Sequence, residues 1–266
     1  HKLNKNFLNS LGINTSAINP KNIKIYGHGG KSLPMLNSNT VSNDLIENTV
    51  QVIGEEDGVF NDNDYILMYA IGPKKYNSEH NSHINPYSDK SYYYVNISLG
   101  NGARMSIASE PTGNVDVTYN SFHNYKFVES DTYNIAKMGR RWFGHRFYVE
   151  NVRVFNFDFP NLITSSPIDL KVYTAAASES NTSMQLTLNG SNINNFNYSA
   201  IDNNILGRSR FFSGAVFSNS ETIDVELSFN NNGNPSARAY LDYISIEAEC
   251  ALTSPGTQFE FKNNNS

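Results

Sequence analysis

Ala237-Arg238-Ala239-Tyr240-Leu241-Asp242-Tyr243-Ile244-Ser245-Ile246-Glu247-Ala248-Glu249-Cys250 is the stretch whose reading decides the fold. Ala237, Ala239, Leu241 and Tyr243 place apolar side chains at odd positions, and Ile244, Ile246 and Ala248 place them at even ones. Alternation with a period of two marks a strand with one face toward a core. The change of phase requires an extra residue near Tyr243, a β-bulge that turns the following side chains over. Cys250 continues the even set, so its thiol is expected to point inward.

The same alternation recurs upstream. Phe155, Phe157 and Phe159 alternate with polar residues, as do Ile168, Leu170 and Val172, then Met184, Leu186 and Leu188, then Ile223, Val225, Leu227 and Phe229. Asn189-Gly190 and Asn230-Asn231-Asn232-Gly233 supply tight turns between them. Short strands at this spacing, each with one wet and one dry face, predict a β-sandwich over 147–262, jelly-roll-like in arrangement.

The first half is mixed. Leu3, Phe7, Leu8 and Leu11 recur at helical spacing before Gly12, which predicts a short helix over 3–11. Ile23–Tyr26, Val50–Ile53 and Tyr93–Leu99 read as strands. Tyr65–Ala70 is continuously apolar, which predicts a strand buried on both faces. Met105-Ser106-Ile107 is expected to pair with Tyr93–Leu99 across Asn101-Gly102. Together these give a β-rich N-terminal domain over 1–118. Ser130-Asp131 as a cap, Ile135 and Met138 three apart and Gly139 as a stop predict a helical linker over 119–146. Trp142 and Phe143 are expected to be buried between the two parts. The fold class is thus mainly β throughout.

Composition agrees. The chain holds 40 asparagines, 16 tyrosines and 16 phenylalanines, so turns and strands are favoured over helices. The net charge is −5 and no long basic run is present, which argues against nucleic acid as a partner. One cysteine allows neither an internal disulfide nor a cysteine-rich metal site. No apolar run is long enough for a membrane helix. The start at His1-Lys2-Leu3 and the polar stop at Asn263-Asn264-Asn265-Ser266 predict a piece of a longer polypeptide.

Candidate chemistry is sparse. Gly27-His28-Gly29-Gly30 has the look of an oxyanion loop, but no Gly-x-Ser-x-Gly elbow accompanies it, and a glycine turn after a strand accounts for it. Cys250 as a nucleophile would need an exposed thiolate, and its phase puts it inside. His80 and His83 could ligate a metal, yet they lie among loop residues without further ligands at zinc spacing. Gly54-Glu55-Glu56-Asp57-Gly58 and Asn61-Asp62-Asn63-Asp64 offer oxygens for calcium at Asp57, Asp62 and Asp64, but not at EF-hand spacing. Tyr92-Tyr93-Tyr94 and Asn194-Asn195-Phe196-Asn197-Tyr198 are where a sugar could stack. These residues yield no catalytic, cofactor or metal assignment.

Several phrases occur in a telling order: Phe7-Leu8-Asn9-Ser10-Leu11-Gly12, Asn19-Pro20-Lys21-Asn22-Ile23-Lys24-Ile25-Tyr26-Gly27-His28-Gly29-Gly30, Gly54-Glu55-Glu56-Asp57-Gly58 with Asp64-Tyr65-Ile66-Leu67, Gly139-Arg140-Arg141-Trp142-Phe143-Gly144, and Ala237-Arg238-Ala239-Tyr240-Leu241-Asp242-Tyr243-Ile244. In this the chain resembles the non-catalytic N-terminal region of the type IX secretion sortases of the PorU kind, gingipain-like (C25) cysteine peptidases of the Bacteroidota. The resemblance implies a cell-surface protein on the outer face of the outer membrane. It implies a parent that cleaves C-terminal sorting signals from secreted cargo and transfers the cargo to an anionic lipopolysaccharide linker. Implied partners are attachment-complex outer-membrane proteins of the PorV type, the cargo, and the parent's own downstream peptidase domain. The family's catalytic Cys and His belong to that downstream domain, so no catalytic residue, cofactor or metal carries over to this chain. Two other functions fit the residues alone: a stand-alone carbohydrate-binding or adhesive sandwich, and a small hydrolase using His28.

Overall fold

The computed structural model describes residues 1–262 except 40, 43, 111, 116, 138, 203, 255, 257 and 258. The chain divides into two units, 1–113 and 114–266. No helix among the described residues is long and apolar enough to cross a membrane.

In the first unit β1 (Lys2–Asn4) leads into α1 (Lys5–Ser10), and β2 (Ile23–Tyr26), β3 (Glu47–Asn48), β4 (Gln51–Ile53), β5 (Tyr65–Leu67) and β6 (Tyr94–Ile97) follow. They form two antiparallel sheets, β1-β5-β4 and β3-β2-β6. Asn4 caps α1 by accepting from Phe7 N at 2.9 Å. The helix buries Leu8, and Leu8, Ile23, Ile25, Phe60 and Ile66 share one core. Phe7 and Leu11, expected on the same apolar face, are exposed.

Two further expectations fail here. The Tyr65–Ala70 run is a strand only to Leu67, and Tyr69 is 62% exposed, so it is not buried on both faces. Met105–Ile107 does not pair with β6. The chain at Ala103–Met105 instead bonds to Val50 on either side, at 3.2 and 2.9 Å, and Ile107 is exposed. Arg104 fixes this alternative: its guanidinium bonds to Glu55 at 2.8–3.1 Å and to the carbonyls of Pro20, Lys21 and Ile23 at 3.0–3.1 Å. A charged fork satisfied on every side outweighs one short hairpin.

The second unit contains β7 (Ser121–Glu129), β8 (Arg146–Phe147), β9 (Val152–Asp158), β10 (Ile168–Ala177), β11 (Thr182–Leu188), β12 (Ser191–Tyr198), β13 (Arg208–Val216), β14 (Thr222–Asn230) and β15 (Arg238–Ala251). One sheet runs β13-β10-β15-β7, with β8 also on β15, and the other runs β12-β11-β14-β9. With β8 set aside, the eight long strands follow the interleaved order of a jelly roll. Phe155, Phe157, Leu170, Val172, Leu186, Val225, Leu227, Leu241, Ile244 and Ile246 fill the space between the sheets.

The bulge is present. Tyr243 faces Tyr173 and Leu241 faces Thr174, which leaves Asp242 as the extra residue. Ala239 and Leu241 before it, and Ile244, Ile246, Ala248 and Cys250 after it, all enter the main core. Tyr243, expected inward, instead stacks on Tyr173 with ring centroids 6.3 Å apart.

The helical linker expected over 119–146 is not there. Residues 121–129 are the strand β7, paired along its whole length with Tyr243–Ala251. Satisfying a full strand of backbone groups overrides a local cap signal. Residues 130–145 then make an excursion, closed by reciprocal bonds between Tyr133 and Phe143 at 2.7 and 2.8 Å. Phe143, Ala175 and Tyr240 form a small second core with Tyr133, Ile135 and Tyr173. Phe143 is thus buried, but Trp142 is 41% exposed, against expectation. Met138 lies outside the described residues.

Candidate functional site: an arginine–tyrosine cleft

The excursion leaves the sheet at Glu129, opposite Tyr243, and returns at Arg146, opposite Tyr240. Only Leu241 and Asp242 lie between those partners on β15. The two ends of the excursion touch. Gly144 N donates to Leu241 O at 2.8 Å, and a Cβ on Gly144 would lie 2.6 Å from Ser130 O. Charged groups gather on both sides of this crossing.

One group is acidic. Ligand atoms of Glu129, Asp131 and Asp242 lie within 4.8 Å of one another, the one such trio among the described residues. Asp242 is only 3% exposed and pairs with Arg141, whose guanidinium stacks 4.4 Å from the Tyr173 ring centroid. Burial pushes the Asp242 carboxyl up to about 7, with Arg141 pulling the other way and Glu129 adding to the rise. Burial, then Glu129, pushes Asp131 up to about 6. Arg141 already occupies the place a cation would take, so the cluster is an ion pair between a half-exposed guanidinium and a buried carboxyl.

The other group is basic and open. A cleft of about 470 Å³ is lined by Tyr133, His145, Arg146, Tyr148, Glu150 and Arg153, among others. The Arg146 guanidinium lies over both Tyr133, at 5.2 Å, and Tyr148, at 5.7 Å. Arg238 lies 4.8 Å from the same Tyr148 ring. Stacking on aromatic faces orients a guanidinium without consuming its N–H donors. Arg153 pairs with Glu150 at 2.6 Å and donates to Arg146 O at 3.4 Å. His145 packs edge-on against Phe155, and burial, then Arg153, lowers its pKa, so the ring is neutral at neutral pH. This arrangement can hold an anion by bidentate hydrogen bonds.

The candidates read from sequence lie elsewhere. Gly27-His28-Gly29-Gly30 is a tight turn: Gly29 and Gly30 have φ of +68° and +63°, and His28 is exposed. His80 Nε2 bonds to Leu33 O at 2.9 Å, while His83 is fully buried beside Tyr76. Neither joins a trio of possible ligands among the described residues. The acidic turns serve their own backbone. Asp57 accepts from Val59 N and Asn61 Nδ2, Asp64 accepts from Asn61 N, and Asp62 pairs with Lys5 at 2.7 Å. Phe196 and Tyr198, proposed sugar platforms, are each 2% exposed, with Tyr198 OH bonded to Thr174 at 2.7 Å. Tyr92 and Tyr94 are exposed, whereas Tyr93 OH bonds to the backbone of Ile71. Cys250 lies in the main core with its thiol pKa raised, chiefly by burial.

No family model and no curated protein matches the chain. Among solved structures, the chain is similar to dimeric latent PorU from Porphyromonas gingivalis, with a TM-score of 0.76 at 20% identity. That match covers 100% of this chain and 25% of PorU, so the chain spans about a quarter of its neighbour's length. The CBM36-1 domain of a multidomain xylanase from the hindgut metagenome of Trinervitermes trinervoides matches half of the chain with a TM-score of 0.31 at 16% identity. The fold of this chain is therefore that of a PorU segment across both units.

Proposed function

We propose that the chain is the non-catalytic N-terminal region of a cell-surface sortase of the type IX secretion system. In this reading it positions a downstream C25-type cysteine peptidase domain on the outer face of the outer membrane. It also contacts attachment-complex proteins of the PorV type and cargo bearing C-terminal sorting signals. The observation that carries the reading is the likeness to PorU along the entire chain, both units in order. A β-sandwich by itself is compatible with many functions, so fold class alone adds little.

The test is genetic. The parent gene should encode a Cys/His peptidase domain after Ser266. A strain whose parent protein lacks residues 1–266 should accumulate unprocessed cargo even when the peptidase domain reaches the surface. Downstream sequence holding only repeats or an anchor would overturn the reading, as would normal cargo processing by the truncated protein.

A further inference from the structure

We propose that strand β9 and the arginine–tyrosine cleft beside it bind an extended peptide segment that carries a carboxylate. β9 is the edge of its sheet, with β14 on one side and no strand on the other among the described residues. Phe229 N donates to Asn151 O at 2.7 Å, which fixes the phase of the ladder. Residues 151, 153, 155 and 157 therefore face β14, and the main-chain groups of Val152, Val154 and Asn156 face away. Val152 and Val154 are also 51% and 48% exposed, so the half of this edge next to the cleft is apolar as well as unpaired. Proteins usually blunt such an edge, because it is a template for another strand.

The cleft sits where β9 begins: Arg153 belongs to both, and Glu150, which also lines the cleft, lies two residues before the strand. Arg146 and Arg238 share the Tyr148 ring, and neither guanidinium pairs with a carboxylate among the described residues. Glu150, the one acid lining the cleft, is engaged by Arg153. In a chain of net charge −5 this is a local excess of oriented positive charge. It complements a carboxylate on the incoming segment. A peptide fits better than an acidic glycan, because only a peptide can continue the main-chain ladder on β9.

The experiment uses the whole chain and a fluorescein-labelled octapeptide of alternating Val and Thr ending in Asp-Glu. Its counterpart ends in Asn-Gln with an amidated terminus, and oligogalacturonate is the competing acidic glycan. Fluorescence polarisation should show the acidic peptide binding at least about tenfold tighter than the counterpart, more weakly as salt rises. The double substitution Arg146→Gln with Arg238→Gln should remove that preference. Val154→Pro removes an outward N–H that the β9–β14 ladder does not use, so the sandwich should melt as before. It should weaken both peptides by about tenfold. Equal binding of the two peptides, or unchanged binding by Val154→Pro, would sink the proposal. So would binding of oligogalacturonate without binding of either peptide. Should the double arginine variant fail to fold, the peptide pair and Val154→Pro still decide.

Discussion

Arg141 reaches out of the excursion to pair with Asp242, the residue that β15 ejects at its bulge. The bulge aims a carboxylate away from the main core, and the excursion supplies the cation that meets it. A carboxyl so enclosed has a raised pKa of about 7, against an ordinary 3.8. The folded state then keeps a proton that the unfolded chain releases between those two values. The stability that this proton contributes is full below about pH 4 and is lost as pH rises toward 7, by about 1.4 kcal/mol per unit. His145 acts in the opposite sense, because its lowered pKa makes acidification costly. Comparing the chain with Asp242→Asn separates the two. The melting temperature of the parent relative to the variant should drop from pH 5 to pH 8. A difference that stays constant with pH would refute the assignment.

Gly144 cannot carry a side chain where the excursion closes. A Cβ there would lie 2.1 Å from Ser130 Oγ and 2.6 Å from the Ser130 carbonyl, and the carbonyl cannot rotate away. Gly144→Ala should destabilise the second unit by about 1–3 kcal/mol. Gly207→Ala is the control, since its nearest contact would be an ordinary 3.5 Å. Equal melting of the two variants would mean that the excursion relaxes freely.

Phe143 and its neighbour Trp142 should respond very differently to truncation. Phe143 is 5% exposed in the small second core, whereas Trp142 is 41% exposed. Phe143→Ala should cost about 3–4 kcal/mol and Trp142→Ala about 1 kcal/mol or less, measured by urea unfolding. As the single tryptophan, Trp142 should also emit at long wavelength and be quenched readily by acrylamide.

Cys250 should be slow to react. Its thiol is fully buried and its pKa is raised, so little thiolate reaches solvent. Native protein should resist a thiol reagent until it is unfolded, and Cys250→Ala should cost about 1 kcal/mol. Rapid native labelling would place the thiol elsewhere.

Alternation makes the second unit legible in the sequence. Leu170, Leu186, Leu227 and Ile246 all face the core as their spacing requires, and the phase change at β15 marks the bulge within one residue. The excursion was not legible. Ser130-Asp131 looks like a helix cap, yet whether a segment turns helical depends on what it packs against. The place of Trp142 is hidden for the same reason: its neighbour Phe143, not the larger ring, meets Tyr240. The cleft is not legible in the sequence, because its parts near 133, 146–153 and 238 meet through separate long-range pairings: Tyr133 with Phe143, Arg146 with Tyr240, and Arg153 with Leu227. No spacing in the sequence encodes that meeting. In β12, Phe196 and Tyr198 carry the aromatic signal of a sugar platform, but the pairing turns both inward.

The interruption between β7 and β8 has an architectural consequence. Glu129 and Arg146 lie against Tyr243 and Tyr240 of one strand, so the chain departs from the sheet and rejoins it almost at the same point. Everything between them hangs from a single doorway in an otherwise complete sandwich. Lengthening such a segment raises its closure entropy only slowly. The doorway is therefore a natural grafting point: a different segment spliced between Glu129 and Arg146 could give the sandwich a new exterior while its interior stays as it is.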